Sequence, residues 1–515
     1  AWSGGWLWIP KNPLAVEAGI TEDQSEPLKY VETVMGQAPD ARVSAFLDQG
    51  PKMVEFFRDK TDVDFIDGNL VPDFHPCEGH ALGGRSVAAA PFDGRKLGKD
   101  IHRLRRPLSV ISLFGMGIAS GADIRHFFNA TRSLSSMMYV CKRIGRHIRD
   151  LVLFQRGMQL VNGNALIGAL FSTANKLNVS IQTDASVSRL LEENGKVTGV
   201  EFICDGRKHT VFAKQGVVLA AGGFPHDKNR FGTHLPSKAG TEHYSAAPLG
   251  NTGDGLRVAE QVGAKVADDL ADPFAWSPVS RVPTKDGGFI HFPHLIERAK
   301  PGIIAVLPNG ERFTSEADSY HDFMKALFDA SPKGKQPYCW LIADHKAQRR
   351  WGLGWSRPFP FPLSGYIRSG YLKKGRNIIE LADQIGVPRG ALSKTLEVFN
   401  SDVAKGVDTQ FHRGESPYNR IQGDLDSEGN PSLGALDQAP FYAVKIEAGS
   451  LGTFAGIRTN EKAEVLDGEG KTISGLYAVG NDMSSIFNGA YPSGGITLGP
   501  AMTFGYIIGN QLGKV

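Results

Sequence analysis

Residues 475–509 read GLYAVGNDMSSIFNGAYPSGGITLGPAMTFGYIIG. A short apolar strand, Gly475 to Val479, stops at Gly480-Asn481-Asp482, and a helical run from about Ile496 to Ile508 is entered through Gly494-Gly495. Tyr491-Pro492-Ser493 lies between them. A helix opened by paired glycines points bare N–H groups and a positive dipole end at whatever anion or polarised carbonyl sits there. Such a unit demands an α/β architecture, although taken alone it fits any αβ turn.

The rest of the chain fits the same architecture. Gly216 to Phe224 is apolar throughout and ends in Gly222-Gly223, which predicts a parallel strand covered on both faces. The 61 glycines gather in pairs (Gly4-Gly5, Gly83-Gly84, Gly222-Gly223, Gly494-Gly495), as a backbone that approaches a ligand closely requires. Apolar periodicity predicts two helices over 25–60, a helix over 164–177 and a helix pair over 377–404. A strand is expected over 179–183 and a β-meander over 185–212. The helices of 123–160 carry many Arg and Lys, which predicts a solvated basic face. At 515 residues two domains are expected. Residues 266–440 turn rich in Pro, Trp and Phe, and strands resume at 441. The reading is a first domain in two parts, 1–265 and 441–515, with a second, α+β domain of 266–440 inserted between them.

Several classes are excluded. Net charge is +3 and no basic run interleaves with aromatics, so nucleic acid is not an expected partner. Cys77, Cys141, Cys204 and Cys339 are far apart, which argues against a zinc site or disulfide framework and suits a reducing, cytoplasmic setting. No apolar run reaches the ~20 residues of a membrane span. The proline–aromatic stretch 357–371 reads either as a rim for an apolar substrate, touching a membrane surface, or as a loop packed by its own rings. The second reading is favoured.

Ser3-Gly4-Gly5, Gly216 to Phe224 and Gly475 to Gly509, taken together, resemble the flavoproteins of the fumarate reductase and 3-ketosteroid dehydrogenase superfamily. Gly499 to Tyr506, Ala490-Tyr491-Pro492, Asn251 to Gly255, Ser450 to Thr453 and Phe411 to Ser416 narrow this, in order along nearly the whole chain, to the 3-ketosteroid Δ1-dehydrogenases. That superfamily carries a GxGxxG βαβ unit before its SGG loop. Gly115-Met116-Gly117 has the wrong spacing and context for it, so some ~45 upstream residues are expected to be missing.

The resemblance implies a split Rossmann-like FAD-binding domain with an inserted substrate-binding cap domain, and FAD as cofactor. Ser3, Gly4 and Gly5 would lie near the isoalloxazine, Val187 near adenine, and Ala221 and Gly222 near ribose and pyrophosphate. Asn251 and Asp254 would line the flavin side, and Asn481 and Asp482 the ribityl chain. Leu498 would offer its N–H to the flavin C2 carbonyl. The implied reaction desaturates ring A of a 3-ketosteroid-like substrate, an apolar ketone, with a further electron acceptor as partner. Tyr320 would remove the C2 proton, Tyr491 and the Gly495 N–H would hold the C3 carbonyl, and the C1 hydride would pass to flavin N5.

Two positions depart from the Δ1 pattern. Phe74 stands where the family places a helper tyrosine, with His75 beside it as a possible proton relay. Ser493 stands where Δ1 enzymes usually carry glycine, and Tyr-x-Ser-Gly instead resembles the 3-keto-5α-steroid Δ4-dehydrogenases, where the serine helps at the carbonyl. A fumarate-reductase-like ene-reductase is disfavoured because residues 487–495 hold no Arg. The absent fingerprint and Phe74 would suit a non-catalytic remnant.

Overall fold

The computed structural model describes residues 2–236, 240 and 242–513. Its longest strand, Phe441–Thr453, is buried at all but two of its 13 positions, so it needs cover on both faces and neighbours on both edges. It finds them at the centre of a seven-stranded sheet, between Phe274–Pro283 and Tyr338–Ala343, both antiparallel to it. Phe289–Pro293 and Ile303–Val306 lie beyond. Lys373–Gly375 and Tyr244–Ser245 add to the same central strand, the latter in parallel. The sheet of the inserted segment thus draws in strands from beyond both expected boundaries, 265 and 440. Side-chain alternation divides its faces. Ile304, Val306, Trp340 and Ile342 pack with Leu381, Leu392 and Phe399 of the helices Ile378–Ile385 and Arg389–Lys405. Ile303, Ala305, Cys339 and Leu341 join the main core with Phe323, Leu327 and Phe328 of the helix Tyr320–Ala330.

The second sheet is built on Thr472–Ala478. It runs parallel to Val217–Leu219, with Leu476 opposite Val217 and Ala478 opposite Leu219, and antiparallel to Glu464–Leu466. The meander Ser186–Glu193, Lys196–Cys204, Arg207–Phe212 joins at Lys196. A 3-10 turn, Gly480–Asp482, ends the Thr472–Ala478 strand, and the helix Leu498–Leu512 follows the Tyr491 loop.

Two expectations fail. Val217–Leu219 is not covered on both faces: Val218 is 41% exposed and only Leu219 is buried, because among the described residues the strand is paired along one edge alone. Residues 179–183 form no strand, since no described segment pairs with their backbone, and Val179 and Ile181 are exposed. The basic face expected over 123–160 is largely solvated, with Arg125, Arg132, Lys142 and Arg149 exposed, but the helix Leu134–Phe154 does more than show it to water. It buries Ser136, Val140, Arg143, His147 and Asp150 and turns several large apolar side chains outward. The buried side is held by polar bonds: Arg143 donates to Asp123 (3.1 Å) and to the Gly117 carbonyl (3.1 Å), and His147 Nε2 lies 3.1 Å from the Phe114 carbonyl. No helix among the described residues is long and apolar enough to cross a membrane.

The segment Gly310 to His321 and the resemblance-bearing segment Phe411 to Ser416 meet in a buried ionic knot. Arg312 donates to both oxygens of Glu316 (2.9 and 2.8 Å) and of Asp408 (3.0 and 2.8 Å). Arg413 donates to Glu316 (2.9 Å) and to the carbonyls of Ile303 and Lys300. Burial pushes the Glu316 carboxyl up, and the two guanidiniums outweigh it and hold it below the usual carboxylate range. Removing one partner of such a pair strands the other's charge. Glu316→Gln is expected to lower unfolding stability by about 3–5 kcal/mol in urea titrations. A loss under ~1 kcal/mol, the worth of a surface pair, would contradict the reading.

Candidate active site

Tyr320 is the first residue of its helix, capped by Ser319, whose hydroxyl accepts the Asp322 N–H at 3.1 Å. The ionic knot four residues upstream fixes where that helix begins. Tyr491 comes from the other sheet's loop. Tyr30 O–H and Phe74 N–H both donate to the Pro492 carbonyl (2.6 and 3.1 Å), and His75 Nε2 lies 3.2 Å from the Tyr491 carbonyl. The two phenols meet: Tyr320 O–H donates to Tyr491 Oη at 2.7 Å, with the rings edge to face at 5.0 Å. Phe74 stacks on Tyr491 (5.8 Å) and meets Tyr320 edge-on (5.7 Å), while Tyr418 lies against Phe74 at 4.4 Å. His321 and Phe454 close the box around Tyr491, at 5.5 and 5.6 Å.

All these rings are buried except His75, which lies at the rim. Burial pushes the Tyr320 phenol well above its ordinary range, and pushes Tyr491 up to about 12 with partial relief from the Tyr320 hydrogen bond. At neutral pH both are neutral. Since Tyr320 supplies the proton between them, the Tyr491 proton is left to point at a third group, and the donated bond polarises it. Behind the box, His321 lies 3.4 Å and Lys325 3.0 Å from Asp272, which also accepts the Trp276 indole N–H at 2.9 Å. Burial pushes Asp272 up, and His321, Lys325 and Trp276 outweigh it, holding the carboxyl at about 2.

Glycine lets the backbones close on this box. Gly495 has φ +104°, and a Cβ there would lie 2.7 Å from the backbone of Leu7. Its carbonyl accepts the N–H of Trp8 (3.3 Å) and Gly499 (2.9 Å). The strand Trp6–Trp8, which follows the Ser3–Gly5 loop, therefore runs alongside Gly495 and the start of the Leu498 helix, whose first turn no side chain caps. Ser3 accepts the Gly163 N–H on its carbonyl and the Gly5 N–H on its hydroxyl, both at 3.0 Å, and Gly4 is exposed. Ser493 is fully buried with a hydroxyl that has no partner, as has the Thr453 hydroxyl.

The remaining sequence-derived positions gather at the strand ends. Asp482 is fully buried, and its carboxylate accepts the N–H of Ala221 (2.6 Å) and of Gly223 (2.8 Å), so it braces the Gly222-Gly223 turn. Gly255 packs so closely on Asp482 that a Cβ would sit 2.1 Å from its oxygen. Asn251 donates to the Gly222 carbonyl at 3.1 Å. Asn481 lies against Gly452, where a Cβ would come within 2.3 Å of its amide. Asp254 is half-exposed and paired with Arg257 at 2.8 Å. Val187 stands in the meander opposite Phe202 and takes no part in the aromatic box.

Sequence reading missed His321, Asp272, Tyr418, Phe454 and Tyr30. Three had a signal: His321 adjoins Tyr320, Tyr418 follows the Phe411 to Ser416 segment, and Phe454 follows Ser450 to Thr453. Tyr30 and Asp272 had none, since only the fold brings them to Pro492 and His321.

What invites a ligand here is two buried hydroxyls without partners, Ser493 and Thr453, the second packed against Gly223 of the Gly222-Gly223 turn (φ +96° and +76°). The model of an FAD binding domain matches residues 1–498. The chain is 36% identical to a 4-oxocyclohex-2-ene-1-carboxylate 5-dehydrogenase of Sinomonas cyclohexanicum, covering 100% of this chain and 87% of that protein. It is 32% identical to a 3-oxosteroid 1-dehydrogenase of Mycobacterium tuberculosis, over 99% of this chain and 92% of that one. Among solved structures, 3-ketosteroid delta1-dehydrogenase from Sterolibacterium denitrificans superposes with a TM-score of 0.91 at 30% identity, covering 100% of this chain and 92% of that one. With a buried tyrosine pair and these relatives end to end, the chain belongs to the FAD-binding flavoprotein family and is an FAD-dependent oxidoreductase related to the 3-oxosteroid 1-dehydrogenases.

Proposed function

We propose that the protein desaturates a carbon–carbon bond beside a ring ketone, in ring A of a 3-ketosteroid-like substrate. The observation that carries this is the Tyr320–Tyr491 hydrogen bond of 2.7 Å inside a buried aromatic box. Tyr491, already accepting from Tyr320, directs its own proton to the ketone oxygen, and the Gly495 N–H is the second donor. Two donors on that oxygen acidify the neighbouring C–H by stabilising the enolate. Tyr320, once it has given up its own phenolic proton to solvent and with it the bond it donates to Tyr491, takes the proton from that carbon as the phenolate. FAD, when bound, supplies the two-electron acceptor for the hydride that leaves the adjacent carbon. The C–H electrons left behind become the new double bond, and an external electron acceptor completes the turnover. The flavin groove draws on Ser3, Gly4, Gly5 and Leu498 at the ring end. Ala221, Gly222, Asn251, Asp254, Asn481 and Asp482 serve the middle, and Val187 the adenine end. Four unpaired thiols favour a reducing, cytoplasmic setting.

Two observations favour neighbouring readings. The buried, unpartnered Ser493 hydroxyl favours oxidation of the Δ4 bond, where it would add a third contact near the carbonyl. Two relatives, at 36% and 32% identity, are named for single-ring oxo acids, 4-oxocyclohex-2-ene-1-carboxylate and 4-oxocyclohexanecarboxylate, which favours a smaller substrate.

Tyr491→Phe is expected to slow anaerobic flavin reduction by about 10²- to 10³-fold with FAD still bound. An unchanged rate would remove Tyr491 from the reaction. Tyr320→Phe is expected to abolish exchange of the α-proton into deuterated solvent, and persisting exchange would name another base. Because the active form of Tyr320 is the phenolate and burial raises its pKa, the reduction rate is expected to climb with pH, about tenfold per unit, up to at least pH ~10. A plateau near neutrality would contradict Tyr320 as the base.

A further inference from the structure

We propose that Tyr418 is the outlet for the phenolic proton of Tyr320, supplying the hydroxyl that Phe74 lacks and passing the proton to Asp322 at the rim. This rests on ketone desaturation, in which Tyr320 works as the phenolate. Tyr320 is 8% exposed and its proton is held on Tyr491, so its ionisation needs a neighbour that can accept one proton and shed another. Other polar groups around the box are engaged or sealed. Tyr30 O–H donates to the Pro492 carbonyl, and its oxygen accepts the His75 N–H at 3.2 Å. His321 lies toward Asp272, and the Ser493 hydroxyl is closed in on all sides. Tyr418 differs. It is 3% exposed, its hydroxyl takes no hydrogen-bond partner among the described residues, and its oxygen is not sealed as Ser493 Oγ is. A buried phenol ordinarily finds a partner. This one keeps both its lone pairs and its proton available.

The fold brings Tyr418 to Tyr320. Tyr418 lies in the helix Pro417–Gln422, which Ser416 caps by accepting the Asn419 N–H at 3.1 Å. Asn419 in turn donates to Asp318 at 2.9 Å, two residues before Tyr320. The Tyr418 ring lies on Phe74 at 4.4 Å, and Phe74 meets the Tyr320 ring at 5.7 Å and the Tyr491 ring at 5.8 Å. The charged and titratable groups that bear on Tyr418 are Arg298, Tyr491, Asp318 and Asp322, and Tyr418 and Arg298 both bear on Tyr320. Arg298 is buried, donates to the carbonyls of His294, Glu316 and Asp318, and bonds to no carboxylate among the described residues. Its charge therefore favours a phenolate nearby. Asp322 leads outward: it accepts the Ser319 O–H at 2.6 Å, lies 3.7 Å from His75 Nδ1 and is 37% exposed. Tyr418 takes the Tyr320 proton on its oxygen as its own proton leaves for the Asp322 carboxylate, which returns it to water. Tyr320 ends as the phenolate and Tyr418 as a neutral phenol that donates to it, a charge-assisted bond.

The test is exchange of the ketone α-proton into deuterated solvent by the FAD-loaded protein, with anaerobic flavin reduction followed beside it. Androst-4-ene-3,17-dione and 4-oxocyclohexanecarboxylate are the probes, given to wild type, to Tyr418→Phe, and to Tyr418→Phe combined with Phe74→Tyr. Tyr418→Phe is expected to slow both readouts by about 10- to 100-fold near neutral pH, the worth of one hydrogen bond to a charged group. The pH profile of reduction should move up by about one to two units, while flavin absorbance and melting temperature stay unchanged, since the lost hydroxyl bonds to nothing in the protein. Adding Phe74→Tyr should recover about tenfold or more, because a phenol at 74 meets the Tyr320 ring. Tyr418→Phe exchanging at the wild-type rate, or slowed equally with and without Phe74→Tyr, would overturn the proposal and leave desaturation standing. Wild-type protein that exchanges neither ketone would remove the desaturation reading, and the proposal with it.

Discussion

Glu316 is the constraint on which the site depends. It lies at the junction of Arg312 and Arg413, with its Oε1 also accepting the Ala305 N–H at 3.0 Å. One carboxylate thereby joins the strand Ile303–Val306, the segment leading to Tyr320 and the Arg413 loop. Arg298 adds bonds to the carbonyls of Glu316 (2.8 Å) and Asp318 (3.2 Å), so the backbone is held up to the residue before the Ser319 cap. Burying so many charges is costly unless they are paired and hydrogen-bonded, and here Glu316 is shared by Arg312 and Arg413 while Asp408 also holds Arg312. The result is a helix start whose position cannot drift by an ångström without breaking several charged bonds, and Tyr320 sits on it.

Tyr491 is positioned by independent means. Its loop hangs from the Thr472–Ala478 strand through the Gly480–Asp482 turn, and Asp482 locks that turn to Ala221 and Gly223. The phenol–phenol bond is therefore a contact between two separately anchored frameworks. Phe74 makes the box more apolar than a tyrosine there would. It stacks on Tyr491 instead of bonding to it, and that desolvation keeps both phenols neutral and strengthens each hydrogen bond. The helper hydroxyl expected at 74 has no counterpart there. The nearest other phenol is Tyr418, whose ring touches Phe74.

Much of this was legible in the sequence because it is local. Gly475 to Gly509 encodes its own strand, loop and helix, and the order of segments along the chain pointed to Tyr320 and Tyr491 together. Legibility failed where a residue's partner lies far away. Phe441–Thr453 looks like the start of the C-terminal part by position, yet its burial on both faces commits it to the larger sheet. Asp482 reads from its place as a group beside a ligand, but nothing local reveals that its oxygens also accept amides 259 and 261 residues away. The helix Leu134–Phe154 shows the limit of periodicity most plainly: spacing reveals a stripe, but which face turns inward was decided by Asp123, Phe114 and Met158, which supply its polar partners.

The most direct measurement of the central claim is the visible band of the bound flavin, followed without oxygen after adding a cyclic ketone. Androst-4-ene-3,17-dione, a saturated 5α-3-ketosteroid and 4-oxocyclohexanecarboxylate would be added separately. The account predicts that at least one bleaches the band and returns an α,β-unsaturated ketone, the first identifying Δ1 oxidation and the third a single-ring substrate. A bound flavin that dithionite reduces but none of these ketones bleaches would contradict the assignment of the tyrosine pair to ketone desaturation.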